Sequence, residues 1–114
     1  MKIAQPTPEL PVRDVAKAQV HYRDRLGFKI EWYSDEGRIG AVSHGPCAIF
    51  FRETEGEIHP CTFWVFTHDI DAAYEDLQQR GAHIFEPIAN TEWGLRQFAV
   101  RDLNGHVFYL HHDL

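Results

Sequence analysis

One order of elements is written twice along this chain, and an internal repeat of that kind restricts the architectures open to it. Residues 1–13 read as a short strand broken by Pro6, Pro8 and Pro11; proline donates nothing to a ladder, so this strand belongs at a sheet edge. Val15, Ala18, Tyr22 and Leu26 then recur at helical spacing, with Asp14 able to cap the start and Gly27 able to end it, which predicts a helix over about 14–25. Residues 28–33, 39–43 and 47–52 follow as three strands, separated by turn-forming residues at 34–37 and 44–46. A polar linker spans 54–60, around Gly56 and up to Pro60. The order then restarts. A strand over 62–66 precedes a helix over about 69–80 with Ile70, Ala73 and Leu77 on one face and Gly81 behind it, and strands follow at 83–87, 97–101 and 106–111.

The fold class is therefore α+β: two tandem βαβββ modules, about 1–53 and about 61–114, forming a curved eight-stranded sheet system with helices outside, within a single domain of 114 residues. Each half, at about 55 residues, buries too little apolar surface to be comfortable alone, so the halves should pair. The pairing can close within one chain or exchange between two.

Residues 93–110 predict a β-hairpin, because Asn104 and Gly105 both tolerate the positive φ of a tight turn and both flanks are rich in aromatic and branched residues. Composition narrows the class further. With 44% apolar and 25% charged residues the chain can build one modest core. A net charge of −6 argues against a nucleic-acid partner, which needs clustered Lys and Arg, and suits a cationic ligand better. No apolar run is long enough to cross a bilayer, and the first residues lack an apolar signal core, so the expected location is cytoplasmic with no membrane partner. Cys47 and Cys61 form no Cys-x-x-Cys pattern and are expected as free thiols in or beside strands.

Trp93-Gly94, then Phe98-x-Val100-Arg101-Asp102, then Gly105-His106 and an apolar strand, resembles the C-terminal signature of bleomycin-resistance-like proteins of the glyoxalase/vicinal-oxygen-chelate superfamily. Pro8-Glu9-Leu10-Pro11-Val12-Arg13-Asp14 followed by Tyr22-Arg23-Asp24-Arg25-Leu26-Gly27-Phe28 is similar to its N-terminal signature. The resemblance implies a homodimer with exchanged arms and a small-molecule ligand. Metal-dependent members hold a divalent cation with His or Glu on the first and last strand of each module. Counting seven back from Asp14 and Asp69 gives Thr7 and Thr62, and counting four on from Gly45 and Gly105 gives Ile49 and Tyr109. None of these side chains is an ordinary divalent-metal ligand, so neither a metal nor another cofactor is expected.

Strand alternation assigns Leu10, Val12, Ala48, Phe50, Phe63, Val65, Phe108 and Leu110 to the helix-facing core. Thr7, Glu9, Cys47, Ile49, Phe51, Thr62, Trp64, Phe66, Val107 and Tyr109 form the opposite set, aromatic and sparsely charged, as a pocket for a flat organic ligand would be or as the second face of a fully buried sheet would be. The candidate ligand residues are Trp32, Trp93, Glu9, Ile49, Phe51, Thr62, Trp64 and Tyr109, with Glu31, Asp35 and Glu92 as further negative charge. In the ligand reading, Trp32 of one subunit and Trp93 of the other sandwich a flat cation; in the bland one, each packs on its own sheet. His44 and His106 flank turns, where an exposed imidazole is ordinary, and no Ser-His-Asp or Cys-His pairing can be read from order. Two functions follow: sequestration of a toxic molecule without catalysis, as in antibiotic resistance, or a glyoxalase- or dioxygenase-like enzyme, with Tyr109 or Glu9 as acid or base if no metal takes part. The four ligand positions favour the first.

Overall fold

A computed structural model describes residues 1–114, as two compact units, Met1–Ile58 and His59–Leu114. The α+β class and the doubled βαβββ order are both observed. The first unit holds β1 (Glu9–Val12), α1 (Val15–Leu26), β2 (Lys29–Ser34), β3 (Ile39–His44) and β4 (Cys47–Glu53), and its sheet runs β1-β4-β3-β2. The second holds β5 (Thr62–Phe66), α2 (Ile70–Gln79), β6 (His83–Asn90), β7 (Leu95–Arg101) and β8 (Val107–Asp113), in the order β5-β8-β7-β6. In each unit the first strand lies parallel to the last and the other pairs are antiparallel.

Proline placement explains β1. It is shorter than the proline-broken stretch predicts and lies at the sheet edge, where Pro8 and Val12 offer carbonyls to the Phe50 and Thr54 amides. Asp14 caps α1 by accepting from the Lys17 amide at 2.9 Å, and Gly27 ends it at φ 75°. The helix buries Val15, Ala18, Gln19, Tyr22 and Leu26. It presses on β3 at Gly40, where a Cβ would come within 2.6 Å of Val15 Cγ1. Only glycine permits that approach.

The expected phase of β4 is corrected. Ile49 and Phe51 are 1% and 0% exposed, and the Phe51 ring meets Tyr22 of α1 edge-on at 4.8 Å. Phe51 is the parallel partner of Leu10, which puts Leu10, Val12, Ile49 and Phe51 on one face. Phe50, expected in the core, is on the other face against Trp32. Residues 48–51 are all apolar, so alternation alone carries no phase.

In the second unit Asp69 caps α2 through the Ala72 amide at 3.0 Å. Ile70, Leu77, Phe98, Val100 and Phe108 are buried, with Tyr74 edge-on to Phe98 at 4.9 Å. Strand β6 continues through Pro87 to Asn90 instead of stopping at the proline, because it is an edge strand and its register with β7 shifts twice there.

The β7–β8 hairpin is present, but its turn is longer than an Asn-Gly pair: Arg101 and Val107 are the last partners, and residues 102–106 make the loop. Gly105 has φ 89°, while Asn104 does not have the positive φ expected of it. Buried Asp102 shapes the loop, its Oδ1 accepting from the amides of Asn104 at 2.8 Å and His106 at 2.9 Å. His106 is likewise corrected from exposed to fully buried. Its Nδ1 accepts from the Cys61 amide at 3.0 Å and so ties the start of β5 to β8.

Candidate ligand-binding site

In each unit the sheet face away from its helix carries aromatic side chains. On the first, a register shift between Ile30 and Trp32 turns Trp32 onto the face shared by Ala41 and Phe50, and its ring lies 5.1 Å from that of Phe50. Gln19, buried in α1, donates to the Trp32 carbonyl at 2.7 Å and the Ala41 carbonyl at 3.2 Å, bonding helix to strand where the register shifts. Trp32 is 44% exposed. Beside it Arg52 reaches Glu9 through Nη2 at 3.0 Å and Nε at 3.2 Å.

On the second unit Trp64 stacks on Tyr109 at 4.4 Å with 13° between the rings. The Tyr109 hydroxyl donates to Glu86 Oε2 at 2.8 Å. His111 sits edge-on to both Trp64 and Phe66, at 5.8 and 5.9 Å. Trp64 and Phe66 are each 51% exposed, and Trp93, in the loop before β7, 63%. The Trp93 indole N–H donates to Gln97 Oε1 at 3.2 Å.

Of the predicted residues, Glu9 and Trp32 share one face, and Thr62, Trp64 and Tyr109 share another. Ile49 and Phe51 belong to the core beneath α1 and do not line the open face. Glu86, Phe50 and Gln97 were not among the predicted site residues. Phe50 could have been found by pairing β4 with Leu10; Glu86 follows a register shift and left no sequence signal.

The predicted metal corners are corrected by backbone register. The Phe50 amide bonds to Pro8 as the Val107 amide bonds to Cys61, so Glu9 is the counterpart of Thr62, and Arg52 the counterpart of Tyr109. Thr7 lies before β1 and Ile49 in the core. In neither unit does the pair fit a divalent metal: Glu9 is engaged by the Arg52 guanidinium, and beside Thr62, a neutral hydroxyl, the Tyr109 phenol is a donor to Glu86.

The Glu86 bond, with a smaller contribution from burial, raises the Tyr109 pKa above the usual phenol range. A raised pKa means that this bond stabilises the fold at neutral pH and is lost only as alkaline pH passes the folded-state value. In an ultraviolet phenolate titration, Glu86→Gln should move the Tyr109 transition down toward the ordinary tyrosine range. An unmoved transition would refute the Tyr109–Glu86 contact.

The family model of the glyoxalase/bleomycin resistance protein/dioxygenase superfamily matches residues 2–110, and the chain belongs to that superfamily. Among solved structures it is similar to TioX from Micromonospora sp. ML1, at 25% identity and TM-score 0.83, covering 97% of this chain and 100% of that one. A bleomycin-binding protein complexed with bleomycin matches at 22% identity and TM-score 0.83, covering 98% of this chain and 100% of that one. A glyoxalase-related enzyme from Clostridium phytofermentans matches at 17% identity and TM-score 0.81, covering 100% of this chain and 98% of that one. No curated protein sequence matches the chain.

Proposed function

We propose that this protein binds a flat, cationic organic molecule and sequesters it without chemical change, in a groove formed when two copies pair. In that homodimer, with arms exchanged between the chains, Trp32 of one copy and Trp93 of the other stack on the two sides of the ligand. The observation that carries the reading is the exposure of three tryptophans, Trp32, Trp64 and Trp93, at 44%, 51% and 63%. Large aromatic surface left in water marks a surface that binds something. Glu86 and Glu92 supply negative charge on the second face and in the Trp93 loop, consistent with the chain's net charge of −6, while Glu9, paired with Arg52, offers a polar contact beside Phe50. The similarity to a bleomycin-binding protein supports the same class of ligand. Protection of a cytoplasm from an antibiotic would be the biological use, since tight binding alone removes free ligand while sites are in excess.

The test is a fluorescence and calorimetric titration with bleomycin and with ethidium, a flat cation, alongside light scattering for mass. Expected are twice the chain mass, saturable binding and unchanged ligand after release. Trp93→Ala and Trp32→Ala should each weaken binding roughly tenfold, the loss of one stacking and cation–π partner. Unchanged affinity in both variants, or conversion of the ligand to a product, would overturn the reading.

A further inference from the structure

Trp93 is the most exposed of the three tryptophans, yet the loop that carries it and its ring are both held. Around it the Thr91 amide and hydroxyl both donate to the Leu95 carbonyl, at 2.7 and 2.9 Å, and the Leu95 amide returns a bond to the Thr91 hydroxyl at 3.1 Å. The Leu114 amide donates to the Gly94 carbonyl at 3.1 Å, fastening the chain end to the same loop. The ring itself is tied by its N–H to Gln97, which is buried on β7 opposite His111. An exposed indole with no such bond would populate several rotamers, and a ligand would have to stop that motion on binding.

We propose that Gln97 is a positioning residue that presets the Trp93 ring, so that the platform for the ligand exists before the ligand arrives. This rests on the reading of Trp93 as a ligand residue, and it names what fixes that residue's geometry. A buried amide whose side-chain oxygen is given to an exposed ring has a use that core packing does not explain.

The indole N–H resonances of 15N-labelled protein test it without any ligand, Trp93 being assigned by its loss in Trp93→Phe. In Gln97→Met, which keeps side-chain length and removes the acceptor, the Trp93 N–H should shift upfield and exchange faster with solvent, while Trp32 and Trp64 stay in place. Gln97→Glu, which keeps an acceptor oxygen, should restore a downfield, protected signal. An unmoved resonance in Gln97→Met, or a Gln97→Glu spectrum like that of Gln97→Met, would overturn the proposal. Should Gln97→Met not fold, the wild-type protein decides: nuclear Overhauser contacts from one Trp93 rotamer and an ordered indole N–H support the tether, and rotamer averaging refutes it.

Ethidium affinity separates this proposal from the function on which it rests. Gln97→Met should bind about threefold or more weakly, and Trp93→Ala more weakly still. A normal affinity in Gln97→Met beside a weakened Trp93→Ala overturns the positioning role. A normal affinity in Trp93→Ala removes Trp93 from the ligand site, while the spectra still decide whether Gln97 holds the ring.

Discussion

Phe51→Ala should lower the unfolding free energy by about 3–5 kcal/mol in urea, the range for deleting a fully buried aromatic ring. Phe51 is 0% exposed, packs against Tyr22 of α1 and pairs in register with Leu10, so its removal leaves a cavity that helix and strand cannot both collapse into. Phe50→Ala, one residue away, should cost only about 1–2 kcal/mol, because its ring is half-buried on the opposite face with Trp32 as its aromatic partner. Equal losses would mean that the assigned phase of β4 is wrong. The pair also serves the functional reading: Phe50→Ala should perturb Trp32 emission, and Phe51→Ala should not do so while the protein remains folded.

His106→Ala should destabilise by about 2–4 kcal/mol, from a cavity and from a Cys61 amide left without its acceptor. The parallel change His44→Ala should fall within about 0.5 kcal/mol, as substitutions of exposed residues usually do. Both histidines stand next to a turn that precedes or follows a strand, but only His106 is buried. His106→Gln, with an oxygen to replace the ring nitrogen, should recover part of the loss. A His106→Ala protein as stable as wild type would remove the cross-strand anchor between β5 and β8.

Glu9 and Arg52 show how the site could be half-read. Counting from the helix cap and from the turn glycine works in the second unit, where Thr62 and Tyr109 do occupy the first and last strands. It fails in the first for two reasons of length: the register that makes Glu9 the counterpart of Thr62 makes Asp14 the counterpart of Thr67, two residues before the Asp69 cap, and the turn between β3 and β4, residues 45–46, is shorter than the 102–106 loop, so a count from Gly45 stops short of Arg52. Counting from hydrogen bonds instead brings a carboxylate and a guanidinium to the positions read as threonine and isoleucine.

Features that act over a few residues were legible in the amino-acid order. The caps Asp14 and Asp69, the stops Gly27 and Gly81, the apolar stripes of both helices and the repeat itself depend on backbone geometry within a turn or two. Tertiary structure alone decided which face of β4 is core, how long the 102–106 loop is, that His106 is buried, and that Glu86 and Gln97 reach Tyr109 and Trp93. All but the last depend on which residue of another strand lies alongside, and the Gln97–Trp93 bond, only four residues apart in sequence, depends on how the loop before β7 is folded. An apolar run such as residues 48–51 satisfies either phase equally until a partner such as Leu10 selects one.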